Sequence, residues 1–224
     1  MPKRLILSLI AGGLMLSAPP SQAALSLSNT RVILQAASSS SVEVINGSSS
    51  RYGMQAWVET PEGQDPGKML VVTPGLSSVD AKKQVVLRLL SFGNPDNKEQ
   101  LYYLNVQEIP PKPKDNGKSQ FLLAVRTKIK VLVRPASLFA ARRGAEQKIE
   151  VSKTSHGLHF KNPTPYYFAV TTLTSGGKTV SKTALGTFAP MSSADVVFAA
   201  PASSVTVRYL EDTGAARSIT LPVQ

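Results

Sequence analysis

The chain has 224 residues, 42% of them hydrophobic, and a formal net charge of +11 from 25 Lys and Arg against 14 Asp and Glu. It contains no cysteine and only two histidines, which excludes disulfides, thiol nucleophiles and cysteine metal sites and leaves stability to packing alone. The apolar content is enough to build real cores in one large or two ordinary domains.

The chain opens with MPKR, then the apolar stretch LILSLIAGGLML, then SAPPSQA with small residues at Ser21 and Ala23. This order of charged, apolar and small-residue regions reads as a secretory signal peptide over 1–23, cleaved after Ala23, and its apolar part is too short to span a bilayer. No later segment is long and apolar enough for a transmembrane helix, so the mature chain is expected to be soluble and exported. Losing Lys3 and Arg4 lowers the formal charge from +11 to +9. In an exported protein that excess points to an acidic partner, an anionic surface or a carboxylate site rather than to nucleic acid, beside the plainer reading of a solvated basic surface.

From residue 25 onward almost every segment alternates with period two and is rich in Val, Ile, Thr and aromatic residues, which predicts strands. The expected strands of a first set are 25–34, 41–46, 54–59, 68–72, 85–90, 101–109 and the run FLLAVRTKIKVLVRP at 121–135. Clusters such as NGSSS, PEGQDPG, TPG and GNPDN punctuate them. Seven short strands at this spacing suggest an immunoglobulin-like sandwich. Alternation lapses in ASLFAARRGAEQ and resumes with strands expected at 148–153, 158–162, 166–173, 184–188, 195–200, 204–210 and 217–223. The fold class is therefore all-β, with two sandwich domains at 24–140 and 141–224.

Catalytic motifs are sparse. His156 and His159 lie in HGLHF, where residues three apart on a strand point to opposite faces, so no metal or catalytic site is expected there. The segment NPTPYY at 162–167 reads as a structural turn feeding an aromatic strand, since proline fixes its own φ and extends the residue before it. Trp57 is expected in the core of the first sandwich.

The run 121–135 is the informative one, because Phe121, Leu123 and Val125 alternate in its front half while Lys128, Lys130 and Arg134 occupy its back half. Lys130 lies an odd number of residues from Val125, so a bulge or strong twist is expected near Thr127 to bring them together. Arg31 interrupts the N-terminal strand in a similar way, and Glu99 and Asp212 are acids in NKEQLYYLNVQEIPP and YLEDTGA. Six motifs in order, TRVIL, QAWVE, EQLYYLNVQEIPP, TKIKVLVRP, NPTPYY and an Asp-x-Gly turn before the last strand, make the mature chain resemble the periplasmic pilus-assembly chaperones of the PapD type.

That resemblance implies two immunoglobulin-like domains set as an L or boomerang around a cleft. It implies a periplasmic, non-enzymatic protein without cofactor or metal, which binds and caps pilins in one-to-one complexes and delivers them to an outer-membrane usher. It further implies that Arg31 and Lys130 hold the pilin's C-terminal carboxylate, that Phe121, Leu123 and Val125 form the donated strand, and that Glu99, Arg134 and Asp212 form an interdomain charge cluster. Neither nucleic acid nor membrane insertion is implied, and the exposed apolar strand invites self-association of the free protein. The short PPKPKDNGKS segment and the lack of cysteine resemble the short-loop branch of the family, associated with rod-like pili, rather than the long-loop branch. Two departures stand out: Gly75 where a second proline is frequent, and Gln100 where serine is usual. Competing readings are an exported fibre subunit or adhesin, against which the missing donor extension and paired cysteines count, and a secreted hydrolase, for which no Ser/His/acid or metal set is visible.

Overall fold

The computed structural model describes residues 23–224 apart from 94, 95, 114, 116, 118–121, 182 and 200. The signal-peptide residues 1–22 and Phe121 therefore lie outside the described residues. Sixteen strands are described, nine before residue 135 and seven after residue 149.

The first nine are β1 (Leu25–Leu27), β2 (Arg31–Gln35), β3 (Ser39–Asn46), β4 (Tyr52–Glu59), β5 (Leu70–Thr73), β6 (Leu76–Val79), β7 (Gln84–Ser91), β8 (Gln100–Ile109) and β9 (Arg126–Arg134). They make a four-stranded sheet in the order β1-β3-β7-β5 and a five-stranded sheet in the order β2-β9-β8-β4-β6. Every second residue faces inward, so Val42 and Val44 of β3, Leu87 and Leu89 of β7, Leu104 and Val106 of β8 and Ile129, Val131 and Val133 of β9 close one core between the sheets. The strand expected over 25–34 is two strands: β1 pairs antiparallel with β3 in one sheet, and after Ser28–Thr30 the chain crosses so that β2 pairs parallel with β9 in the other.

The remaining strands are β10 (Glu150–Thr154), β11 (Gly157–Asn162), β12 (Ala169–Ser175), β13 (Lys178–Ser181), β14 (Ser192–Val197), β15 (Ser204–Leu210) and β16 (Ala216–Pro222). Sheets β10-β11-β14 and β13-β12-β15-β16 enclose a second core around Leu158, Phe160, Phe168, Leu173, Val205 and Val207. The strand expected at 184–188 is instead a 3-10 turn over Ala184–Thr187, opened by Thr183, whose hydroxyl accepts the Leu185 N–H. β6 and β13 are short edge strands that no alternating apolar run announces. The NPTPYY turn is built on buried Asn162, whose amide donates to the Tyr166 and Ala189 carbonyls while its oxygen accepts from Thr164.

Trp57 does not enter the core. Its neighbours Ala56 and Val58 do, and alternation turns the indole to the outer face of the five-stranded sheet. There its N–H donates to Glu59 Oε2 at 3.1 Å and Arg126 lies over the ring at 5.9 Å. The bulge expected near Thr127 is also absent. β8 and β9 keep one register without a break from Gln107 opposite Arg126 to Gln100 opposite Val133. Ile129, Val131 and Val133 thus face the core and Lys128, Lys130, Leu132 and Arg134 face outward, toward the second domain.

Candidate ligand cleft between the domains

Two groups of charge meet where the two cores adjoin. The first is buried and paired. Arg134, 2% exposed, donates from Nε to Glu99 Oε1 at 2.5 Å and from Nη1 to Asp212 Oδ2 at 2.8 Å. Glu99, 1% exposed, also accepts the Tyr167 N–H at 2.7 Å through Oε2, while its own N–H donates to the Pro165 carbonyl at 2.9 Å. Glu99 of the first domain is thereby bonded through its side chain to Tyr167 and through its backbone to Pro165, two residues that precede β12 in the second. Burial pushes the Glu99 carboxyl above its usual value against the pull of Arg134 and the Tyr167 amide. For Arg134 burial acts downward, and the bond to Asp212 with the charges of Glu99 and Asp212 overcomes it, raising the guanidinium.

The second group forms no ion pair among the described residues. Parallel pairing of β2 with β9 sets Arg31 directly opposite Lys130, on the same outward face. Lys130 Nζ reaches across to the second domain and donates to the Gly186 carbonyl at 2.7 Å and Thr187 Oγ1 at 2.6 Å, both neutral acceptors. Arg31 Nε is buried and has no hydrogen-bond partner. Burial holds Arg31 below its usual value, with attraction from Asp212 opposing and repulsion from Arg142 adding. Burial and then the charge of Arg31 lower Lys130 as well. Two half-buried cations, each disfavoured by burial and each beside a further positive charge, form a site suited to an anion. Arg31 and Lys130 line one narrow pocket together with Leu132, Tyr167, Phe168 and Leu210.

The edge of β9 explains what this pocket faces. On one side β9 is paired with β8 over Arg126–Val133, but on the other β2 covers it only from Lys130 to Arg134. The β2-side edge from Arg126 to Ile129 is unpaired by any described strand, and it ends at the Arg31–Lys130 pair. Ahead of it, residues 122–125 lie outside any strand and are tied to β8 through the Val125 carbonyl, which accepts the Glu108 N–H at 2.9 Å. Leu123 is 54% exposed and Leu122 53%, whereas Val125 is half-buried. The strand expected over 121–135 is thus a ladder only from Arg126 onward among the described residues, with the single Glu108–Val125 bond to β8 ahead of it.

The remaining candidates lie elsewhere. His156 Nδ1 meets Ser155 Oγ, and His159 Nδ1 meets Asp195 Oδ1 at 2.7 Å, so the two imidazoles belong to separate surface contacts. Gln100 bonds Tyr102 and Asp96 and leaves the Glu99 cluster intact. Gly75 gives its carbonyl to the Ala56 N–H at 2.8 Å, and a Cβ there would meet only ordinary contact at 3.6 Å. Two functional neighbours escape a reading of alternation alone: Arg142 and Glu146, paired at 2.8 Å, with Arg142 8% exposed and lining the Arg31 pocket. Their i,i+4 spacing of opposite charge is the signal that could find them.

The profile described as the pili and flagellar-assembly chaperone PapD N-terminal domain matches residues 24–139, and that of the pili assembly chaperone PapD C-terminal domain matches 144–221. The chain is 30% identical over 207 residues to the chaperone protein FanE of Escherichia coli, covering 89% of this chain and 90% of FanE. It is 33% identical over 208 residues to the chaperone protein FimC of Escherichia coli K12, covering 90% and 85%. The crystal structure of the Escherichia coli chaperone DraB superposes with a TM-score of 0.75 at 30% identity, covering 89% of this chain and 96% of that one.

Proposed function

The chain belongs to the PapD-like family of pilus-assembly chaperones, and from that premise we propose how it holds its cargo. The family is one of chaperones of the chaperone–usher pathway and not of enzymes. In this reading the protein works without catalysis in the periplasm, where its N-terminal leader directs it. It captures pilus subunits one to one and passes them to an outer-membrane usher. Residues 24–140 donate the strand and residues 141–224 complete the cleft.

The observation that carries the reading is the junction of the open β9 edge with the Arg31–Lys130 pair. A guest strand laid on that edge occupies the line that β2 occupies farther along, so it meets the start of β2 end to end. If it runs parallel to β9, as β2 does, its last residue arrives at Arg31, and its terminal carboxylate meets both cations. Arg31 offers a bidentate fork and Lys130 a point charge, the strong class of hydrogen bond in a partly desolvated site. The charge balance agrees: Arg31, Lys130, Arg134 and Arg142 face Glu99, Glu146 and Asp212, leaving one positive charge for one carboxylate.

Affinity comes from the segment before Arg126. A subunit whose sandwich lacks a strand exposes unpaired backbone and core, and Leu123 and Val125, with Phe121 ahead of them, supply apolar groups at alternate positions. Each buried side chain is worth roughly 1.5–3 kcal/mol. The terminal anchor fixes register, since a one-residue slip would turn every apolar group to the wrong face. No bulge is needed: apolar groups enter the subunit on the core-side face of β9 while the carboxylate turns to the opposite face.

Co-expression with a pilin encoded beside this chain tests the proposal. Wild type should co-purify with it from the periplasm, and Arg31→Ala and Lys130→Ala should each lower capture by about 1.5–3 kcal/mol, the worth of a charge-assisted bond. Capture that survives both substitutions would sink the anchor.

A further inference from the structure

Asp212 lies beside Arg31 without bonding it, although Arg31 Nε is unpartnered and the carboxylate attracts it. The turn carrying Asp212 abuts the start of β2, with a Cβ at Gly214 falling 3.1 Å from Thr30 Oγ1, and Gly214 has φ +85°, which glycine adopts freely. Such an acid would neutralise the anchor if it were free to turn. It is held from the other side. Oδ2 is bonded to Arg134 Nη1 at 2.8 Å, and Oδ1 faces Arg142 Nε at 3.7 Å.

Arg142 is itself firmly placed. Its Nη1 bonds Glu146 Oε1 at 2.8 Å, and its guanidinium lies 5.4 Å from the Tyr166 ring centre and 5.2 Å from that of Phe168. Its Nε is buried and otherwise without a partner. It therefore presents a fixed positive charge to Asp212, and a repelling one to Arg31.

We propose that Arg142 is a positioning residue for cargo recognition: by holding Asp212 Oδ1 away from Arg31, it keeps Arg31 unpaired and ready for the carboxylate at the end of a guest strand. The proposal rests on the Arg31–Lys130 anchor described above and adds to it what prevents the anchor from quenching itself. Arg134 holds Asp212 through Oδ2, and Arg142 is the cation set against Oδ1.

The test uses the mature protein and a synthetic peptide of alternating apolar residues made in two forms, with a free C-terminal carboxylate and with a C-terminal amide, followed by calorimetry. Wild type should prefer the carboxylate form. Arg142→Met, combined with Glu146→Gln so that no buried carboxylate is orphaned, should lower affinity for the carboxylate form about tenfold, within the usual range of coupling between sites, and leave the amide form unchanged. Adding Asp212→Asn removes the competing charge and should restore the preference, while Arg142→Lys alone, which keeps the charge and the fold, should retain most of it. A merely structural Arg142 would weaken both peptide forms together and make the triple variant worse than the double, which overturns the proposal. Equal discrimination by wild type and by the Arg142→Met double variant overturns it too. Failure of the wild type to distinguish carboxylate from amide would remove the anchor itself, and this inference with it.

Discussion

Lys130 and Arg134 stand four residues apart on the same outward face of β9, yet they live in opposite electrostatic conditions. Arg134 is bonded to two carboxylates, one of which is also bonded to the backbone of the other domain. Among the described residues, Lys130 donates to neutral acceptors and the Nε of its neighbour Arg31 to none. The difference separates two uses of buried charge. A paired cluster spanning two domains sets geometry, because breaking it strands an uncompensated ion, whereas an unpaired one stores a need that only a ligand can meet.

The largest expected effect breaks the paired side. Arg134→Ala leaves Glu99 nearly fully buried without its cation and should cost about 3–5 kcal/mol of stability. Thermal melting checks it, and subunit capture should fall with it because the cleft loses its fixed angle. A melting point within error of wild type would mean that the cluster does not hold the domains.

A smaller effect sharpens the comparison from the apolar side. Leu123 is about half exposed in the free protein and belongs to neither core. Leu123→Ala should leave melting unchanged and weaken capture by roughly 1.5–3 kcal/mol, the value of one buried side chain. Loss of stability instead would place Leu123 in the protein's own packing.

The pH dependence of capture is expected to be smaller still. Lys130 is below its usual value in the free protein because of burial and Arg31, and a bound carboxylate favours its protonated form. The complex therefore binds more protons than the free protein as pH rises through the lowered pKa, so affinity should decline across that range with proton uptake on binding. Calorimetry in buffers of different ionisation enthalpy reads the uptake directly, and none should appear in Lys130→Met.

Much of the fold is legible in alternation, since most strands are half-buried and turn residues mark their ends. What alternation does not carry is which sheet a strand joins. The apparent continuity of LSLSNTRVIL hides the crossing from β1 to β2, because both halves keep period two while their partners change. Trp57 shows the same limit: its size suggests a core, but parity with Ala56 and Val58 assigns it to the outer face. ALGTF at 184–188 has strand composition, yet Thr183 caps a 3-10 turn there. The charged residues of the cleft stand out as interruptions of apolar runs, but the parallel register that sets Arg31 against Lys130, and the open stretch of edge before it, are facts of pairing that no single segment encodes. Arg142 is hidden because its segment lacks alternation and its role depends on Asp212, which is remote in sequence.

Arg31, in this account, is kept unpaired for cargo and not for the fold. The most direct test is the melting temperature of free Arg31→Met beside wild type. Burial disfavours the Arg31 charge, so removing it should leave melting unchanged or raise it. A fall comparable to that of Arg134→Ala would contradict the account and make Arg31 a member of the structural cluster.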